Sequence, residues 1–289
     1  MVERERKSPF IHYFDKTPEG IRCPHFWVLS TMLGCPYMKG SAYCYLHGTL
    51  RHQKDLPVTY SNYDKMFQEV EEWLKREDPS VLNMGELGDS LALEPKLHLL
   101  DKLIPLFGKQ EKHKLLLVSK NANLFLDILN LRKPTPQVVL SWSVSSNSVW
   151  EDFEKSAPSP YERLACAYSY GKRGWEIRIR IDPIIPLENW SEEFGRLVDV
   201  INTIPNLKRI TLGTIRAFPN LPKHCPPSGV FKYCTDQTGS DKRLRLPHPV
   251  RGSIYKWFAK RLKIEPQVCK ETEKMVQELN FRGKCNCQL

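Results

Sequence analysis

Cys35 and Cys44 stand nine residues apart in one stretch, LGCPYMKGSAYCYLHGTL, with Ser41 and Tyr43 between them. A pair of thiols on one loop suits iron or zinc. MVERERKSPF at the start carries charge but no apolar core, so no secretory leader is expected. In a chain that stays inside the cell, the nine cysteines read as reduced thiols and metal ligands rather than disulfides. Further along come Cys225 and Cys234 in KHCPPSGVFKYC, Cys269 in VCKET, and Cys285 and Cys287 in GKCNCQL. Cys285 and Cys287, with Cys269 or Cys225, are candidate ligands for zinc or a second metal, although their spacing matches no common closed zinc pattern. Cys23 and Cys166 read as buried structural thiols, with Cys23 at the end of its strand away from the chemistry. Arg180 can grip a carboxylate with two parallel hydrogen bonds, and Glu86 or Asp89 can take an ammonium or ribose hydroxyls.

Charge adds a second theme. The 289 residues hold 43 Lys and Arg against 33 Asp and Glu, a net of +10. Between Lys208 and Lys263 thirteen basic residues face only Asp236 and Asp241, a local +11, so the remainder sums to −1. Tyr255, Trp257 and Phe258 are interleaved with these cations. Cations neutralise phosphates and aromatic faces stack on bases, so DNA or RNA is the expected partner. Arg243, Arg245, Arg251, Tyr255 and Trp257 are the expected contacts; a solvated basic helix with its aromatics in the core is the alternative. With 41% hydrophobic residues the chain can build a core, which excludes wholesale disorder. No apolar run approaches 18 residues, so no transmembrane helix is expected.

The elements that must position these groups alternate. Strands are expected at 25–31, 81–84, 114–119, 138–144, 175–181 and 209–213. Helices are expected from Ser61, over 93–107, 123–131, near 150–155, over 161–170, 192–201 and 253–262. Six strands alternating with helices imply a parallel sheet with right-handed crossovers, either an open doubly wound sheet or a partial barrel. In both, functional groups gather where the strands end.

The cysteine loop after the first strand, with its Cys-Tyr-Leu ending, resembles the cluster loop of radical S-adenosylmethionine enzymes, and within them the spore photoproduct lyase family. Further similarities follow in order: GELGDSLALE after the second strand, Ser119-Lys120 after the third, SWSVSS at the fourth, and a small-residue helix before the fifth. They cover about residues 24 to 216. The resemblance implies an α/β fold, a partial (β/α)6 barrel, with a basic C-terminal extension. Three parts follow: an N-terminal segment 1–24, the core 25–216, and a basic, cysteine-bearing region 217–289.

It also implies a [4Fe–4S] cluster on Cys35 and Cys44, and S-adenosylmethionine bound by Tyr43, Glu86, Asp89, Ser90, Lys120, Ser143 and Arg180. Electrons would come from a flavodoxin or ferredoxin in the cytoplasm, with no membrane involved. The implied activity is a 5′-deoxyadenosyl radical acting on nucleic acid, in the manner of a DNA-repair lyase. Two departures accompany it. The loop is two residues longer than the family's, with Ser41 where its middle cysteine falls; Tyr43 or a more distant cysteine could also fill that corner. No cysteine lies between 45 and 165, whereas the family's hydrogen-donor cysteine would fall near Glu86. The alternatives are a nucleic-acid- or zinc-binding protein that keeps the fold without the cluster, and the same radical chemistry on a peptide or small molecule.

Overall fold

The computed structural model describes residues 2–123, 129 and 132–289. An eight-stranded sheet runs in chain order from edge to edge. Its strands are β1 (Ile11–Phe14), β2 (Phe26–Leu29), β3 (Val81–Asn83), β4 (Lys114–Ser119), β5 (Val138–Val144), β6 (Glu176–Ile184), β7 (Leu207–Thr214) and β8 (Gln267–Val268). Only β1 pairs antiparallel; every later neighbour is parallel. β1 and β8 do not pair with each other among the described residues, so the barrel is partial, as expected.

The six expected strands correspond to β2–β7. The first segment adds β1 and the C-terminal region adds β8. Both additions are short, and neither carries the long apolar run that marks a buried parallel strand.

Helices cover the outer face. They are α1 (Tyr63–Trp73), α2 (Leu100–Gly108), α3 (Asn147–Phe153), α4 (Pro160–Lys172), α5 (Trp190–Ile201), α6 (His248–Ala259) and α7 (Glu273–Leu279). Ser146 Oγ caps α3, and Ser159 forms a reciprocal capping box with Glu162 ahead of Pro160 in α4. The single helix expected over 93–107 is two pieces. His98 adopts a left-handed φ of 50° between Glu94–Leu97 and α2, while Glu94 Oε1 accepts from Leu100 N at 2.8 Å. The helix expected over 123–131 lies largely outside the described residues.

Two-residue alternation sorts the strand side chains. Val138, Leu140, Trp142 and Val144 of β5, and Ile177, Ile179 and Ile181 of β6, join the core beneath the helices. Their neighbours Ser141, Ser143, Arg178 and Arg180 face the concave side. Register sets Ser141 beside Arg178 and Ser143 beside Arg180. The floor of that concave side is filled by residues 285–289. Cys285 and Cys287 pack against Phe26, Val28, Val81, Leu116 and Val139. Arg178 Nη1 donates to the Asn286 and Gln288 carbonyls at 2.5 and 2.7 Å, and Arg209 Nη1 to Gln288 O at 2.6 Å. Asn286 is fully buried against Ser141, Thr211 and the Ile179 carbonyl.

Candidate functional site

A cavity of about 540 Å³ opens where β2–β7 end. The loop after β2 supplies one wall, with Cys35, Ser41, Tyr43 and Cys44 all lining it. The loop after β3 supplies the next, and the two are bound through Gly34 N and Leu87 O at 2.8 Å. Gly88 is needed at that contact, because a Cβ there would stand 2.4 Å from Met32 Cγ.

Asp89 ties the wall together. Its carboxylate accepts from Ser119 Oγ and Lys120 N at 2.6 Å each, and from Leu91 N and Ala92 N at 3.0 and 2.9 Å. Burial nevertheless raises its pKa. Lys120 Nζ pairs with Glu154, whose other oxygen takes Arg163 Nη2 at 2.7 Å. Burial works to raise Glu154, but the Lys120 and Arg163 cations overcome it and hold its pKa at about 2. The Tyr43 ring lies 5.5 Å from Lys120 Nζ.

Of the residues expected to hold a cofactor, Tyr43, Glu86, Asp89, Lys120, Ser143 and Arg180 all line this cavity. Ser90 does not; its buried hydroxyl accepts from Val118 N at 2.9 Å and braces the loop against β4. Arg180 points its Nη2 at Cys287 Sγ, 2.9 Å away.

The loop also passes a test of fit for an iron–sulfur cluster. Ser41 Oγ is buried without a hydrogen-bond partner and belongs to the same wall as the two thiols. One loop therefore brings two cysteines and a serine with an unsatisfied hydroxyl to the cavity wall. Burial, then the Asp89 carboxylate, pushes Cys35 up to about 12; burial also raises Cys44. Such thiols stay protonated until a metal displaces the proton to solvent. Cys225 and Cys234 lie outside the lining. Cys225 Sγ rests behind the loop, 3.9 Å from Cys44 O, and Cys234 Sγ is 3.8 Å from Ile215 O.

Cys269, Cys285 and Cys287 line the cavity as well, and so does Cys23. Cys23 precedes β2, at the end of that strand opposite the Cys35–Cys44 loop as expected, yet it lines the same cavity. Ile21–Arg22 pairs with Glu271–Thr272 and carries the thiol into the concave side. Hydrogen bonding from Cys285 lowers Cys287 to about 6, aided by Arg180 against burial, while Cys285 is correspondingly raised.

The basic segment is corrected in three places. Arg245 is buried and pairs with Asp241 through two 2.7 Å contacts. Arg251 is buried between Asp236 at 2.7 Å and Glu271 at 3.1 Å. Tyr255 is a core residue whose hydroxyl bonds to Thr214 and Glu271. Each spends its charge or hydroxyl inside the protein and leaves nothing for a phosphate or base. Trp257 packs on Trp190 with Arg261 over its ring at 4.1 Å.

Arg243 is different. It lines the cavity, shares Asp241 with Arg245 through a longer 3.5 Å contact from Nε, and its guanidinium lies 4.4 Å over the ring of Phe218, a 44% exposed aromatic absent from the sequence reading. Phe218 sits in an unpatterned loop, so nothing local marked it. Arg216, also missed, pairs with Asp182 at 2.9 Å and donates to Cys269 Sγ at 3.4 Å.

No helix of the described residues is long and apolar enough to cross a membrane. The family model for spore photoproduct lyase matches residues 27–215. The chain is 25% identical over 174 residues to the spore photoproduct lyase of Clostridium acetobutylicum, which covers 59% of this chain and 50% of that protein. With the enzyme of a Geobacillus species it shares 25% over 157 residues, 54% of this chain and 45% of that one. It thus spans about half the length of these curated relatives.

Among solved structures, a mutant spore photoproduct lyase with bound AdoMet and dinucleoside spore photoproduct superposes with a TM-score of 0.71 at 16% identity, over 94% of this chain and 82% of that one. A spore photoproduct lyase complexed with dinucleoside spore photoproduct gives the same score and identity over 93% and 81%. The fold is shared across nearly the whole chain, and the family match covers well over half of it. The chain belongs to the spore photoproduct lyase family.

Proposed function

We propose that this protein is a radical S-adenosylmethionine enzyme that acts on nucleic acid. The observation that carries the reading is convergence: the Cys35–Cys44 loop, Asp89, Lys120, Ser143 and Arg180 come from β2–β6 and the loops that follow them, and line one cavity. Cys35 and Cys44, with the unpartnered Ser41 hydroxyl, would hold the cluster. When bound, it supplies one electron for cleaving S-adenosylmethionine to methionine and a 5′-deoxyadenosyl radical. The protein's own residues bind, orient and exclude water. Lys120, Ser143 and Arg180 would receive the cofactor's carboxylate and hydroxyls, with Glu86 beside them for its ammonium. A flavodoxin or ferredoxin would deliver the electron, in the cytoplasm.

Arg243 and Phe218 at the cavity favour nucleic acid as substrate, since a guanidinium can meet a phosphate while an exposed ring stacks on a base. Repair of a thymine photoproduct by the family's usual route lacks its donor thiol. Glu86, about where that cysteine would fall, lines the cavity instead. The substrate is therefore proposed as nucleic acid without a named lesion.

Anaerobic purification with an iron count and a visible spectrum tests the cluster; about four irons per chain are expected. Iron-free protein after reconstitution would leave a binding protein of the same fold. Calorimetric titration with S-adenosylmethionine tests the site, and weaker binding is expected in Ser143→Ala and Arg180→Ala. A cluster-loaded protein that binds S-adenosylmethionine but no oligonucleotide would redirect the chemistry to a peptide or small molecule.

A further inference from the structure

Four thiols from three separate stretches line the cavity. The antiparallel pairing of Arg22 with Glu271 places Cys23 opposite Lys270, one residue from Cys269. The tail brings the other two: Asn286 is strapped to Ser141, Thr211 and the Ile179 carbonyl, and Cys285 and Cys287 flank it. Both pack with Cys23 in the same apolar group on the concave face.

Two guanidiniums are aimed at these sulfurs. Arg180 Nη2 donates to Cys287 at 2.9 Å and Arg216 Nη2 to Cys269 at 3.4 Å. A neutral thiol is a weak acceptor for a buried cation, whereas a metal-bound thiolate is a strong one. Four thiolates around a divalent ion carry about −2; Arg180 offsets one of these charges, while Arg216, already paired with Asp182, adds a hydrogen bond to Cys269. The tail anchors and the arginine donors thus supply what a closed thiolate site requires beyond its ligands.

We propose that Cys23, Cys269, Cys285 and Cys287 are the ligands of a single tetrahedral thiophilic cation, zinc first, separate from the Cys35–Cys44 loop. No three ligating side chains of the described residues stand at metal spacing. The site requires the thiols to rotate until the sulfurs lie about 2.3 Å from the ion, each releasing its proton to solvent. The ion then fastens the tail to the N-terminal segment and closes one wall of the cavity.

The test is metal analysis of the full chain, with zinc, iron and inorganic sulfide measured together. About one zinc per chain is expected in the wild type and in the Cys35→Ala/Cys44→Ala variant, with close to none in Cys285→Ser/Cys287→Ser. Zinc in the Cys35/Cys44 variant is independent of whether the cluster exists, so the two proposals fail separately. Cys23→Ser should weaken zinc at least about tenfold in a chelator competition. Should the tail variant fail to fold, alkylation of the wild type decides. The four cysteines should be protected until zinc is chelated, and equal labelling before and after overturns the site. Zinc-free wild type, or zinc unchanged in the tail variant, also overturns it. Iron and sulfide that survive loss of Cys35 and Cys44 would reject zinc in favour of a second cluster.

Discussion

Glu154→Gln removes one charge from a buried ion triad beside the cavity while keeping its shape. The carboxylate is 1% exposed, as is the Arg163 side chain that it meets at 2.7 Å. Arg163 keeps its bonds to Pro158 O and Ser143 O at 2.8 Å, but its charge is left without an anion. Two routes give the cost. Stranding a buried cation costs about 3–5 kcal/mol. A carboxyl held at about 2 rather than 4.5 has gained about 3 kcal/mol from its surroundings at neutral pH.

We expect a loss of about 3 kcal/mol, which lowers Tm by about 6–12 °C in a chain of this size. The folded pKa lies below the unfolded one, so the stabilisation is fully present above about 4.5 and fades as pH falls toward 2. Urea melts of both proteins at several pH values measure it. The gap should be constant from pH 7 to 5 and shrink below 4.5. A variant within about 0.5 kcal/mol of wild type at pH 7 would refute the reasoning, as would a gap that persists undiminished at pH 2.5.

Cys35→Ala and Cys44→Ala should each lose most of the iron acquired on anaerobic reconstitution, while Ser41→Cys should raise it; unchanged iron in the first two would move the cluster elsewhere. Asp89→Ala strands four donors and should cost about 3–5 kcal/mol in a denaturant melt. Arg243→Ala should flatten the salt dependence of oligonucleotide binding by about 0.7–0.9 in log–log slope, measured by fluorescence anisotropy. Arg245→Ala and Arg251→Ala should instead lower Tm, since their partners are Asp241, Asp236 and Glu271.

The repeating strands were legible because each announces itself locally: KLLLVS and VVLSWSV need no partner to be read as buried. Their ends then located Lys120, Ser143 and Arg180 by a rule of the fold class. The misreadings came from pairings that a tally of residues does not show. Arg245 looked free although Asp241, four residues before it, was in the count, because a net charge does not say which charges meet; Glu271, a partner of Arg251, lies outside the basic run altogether. Tyr255 looked like a stacking ring because its helix shows which face is apolar only when Thr214 and Glu271 stand beside it. That Cys23 lines the cavity went unseen because the two-residue ribbon that turns it inward has no pattern of its own. The tail carried no signal of burial: GKCNCQL is short and polar, and only Arg178 and Arg209 on the strands show where it goes.

That tail also imposes an order on synthesis. Arg178 and Arg209 are made before the segment that satisfies them, and the separations between donor and acceptor reach 110 residues. Until residues 286–288 emerge from the ribosome, the concave face holds guanidiniums without their carbonyls and a floor of bare apolar side chains. Contacts of such long range form late and slowly. A chain halted short of them would carry the whole sheet yet remain open to proteases and chaperones. The floor of the concave face is thus complete only once residues 286–288 are in place.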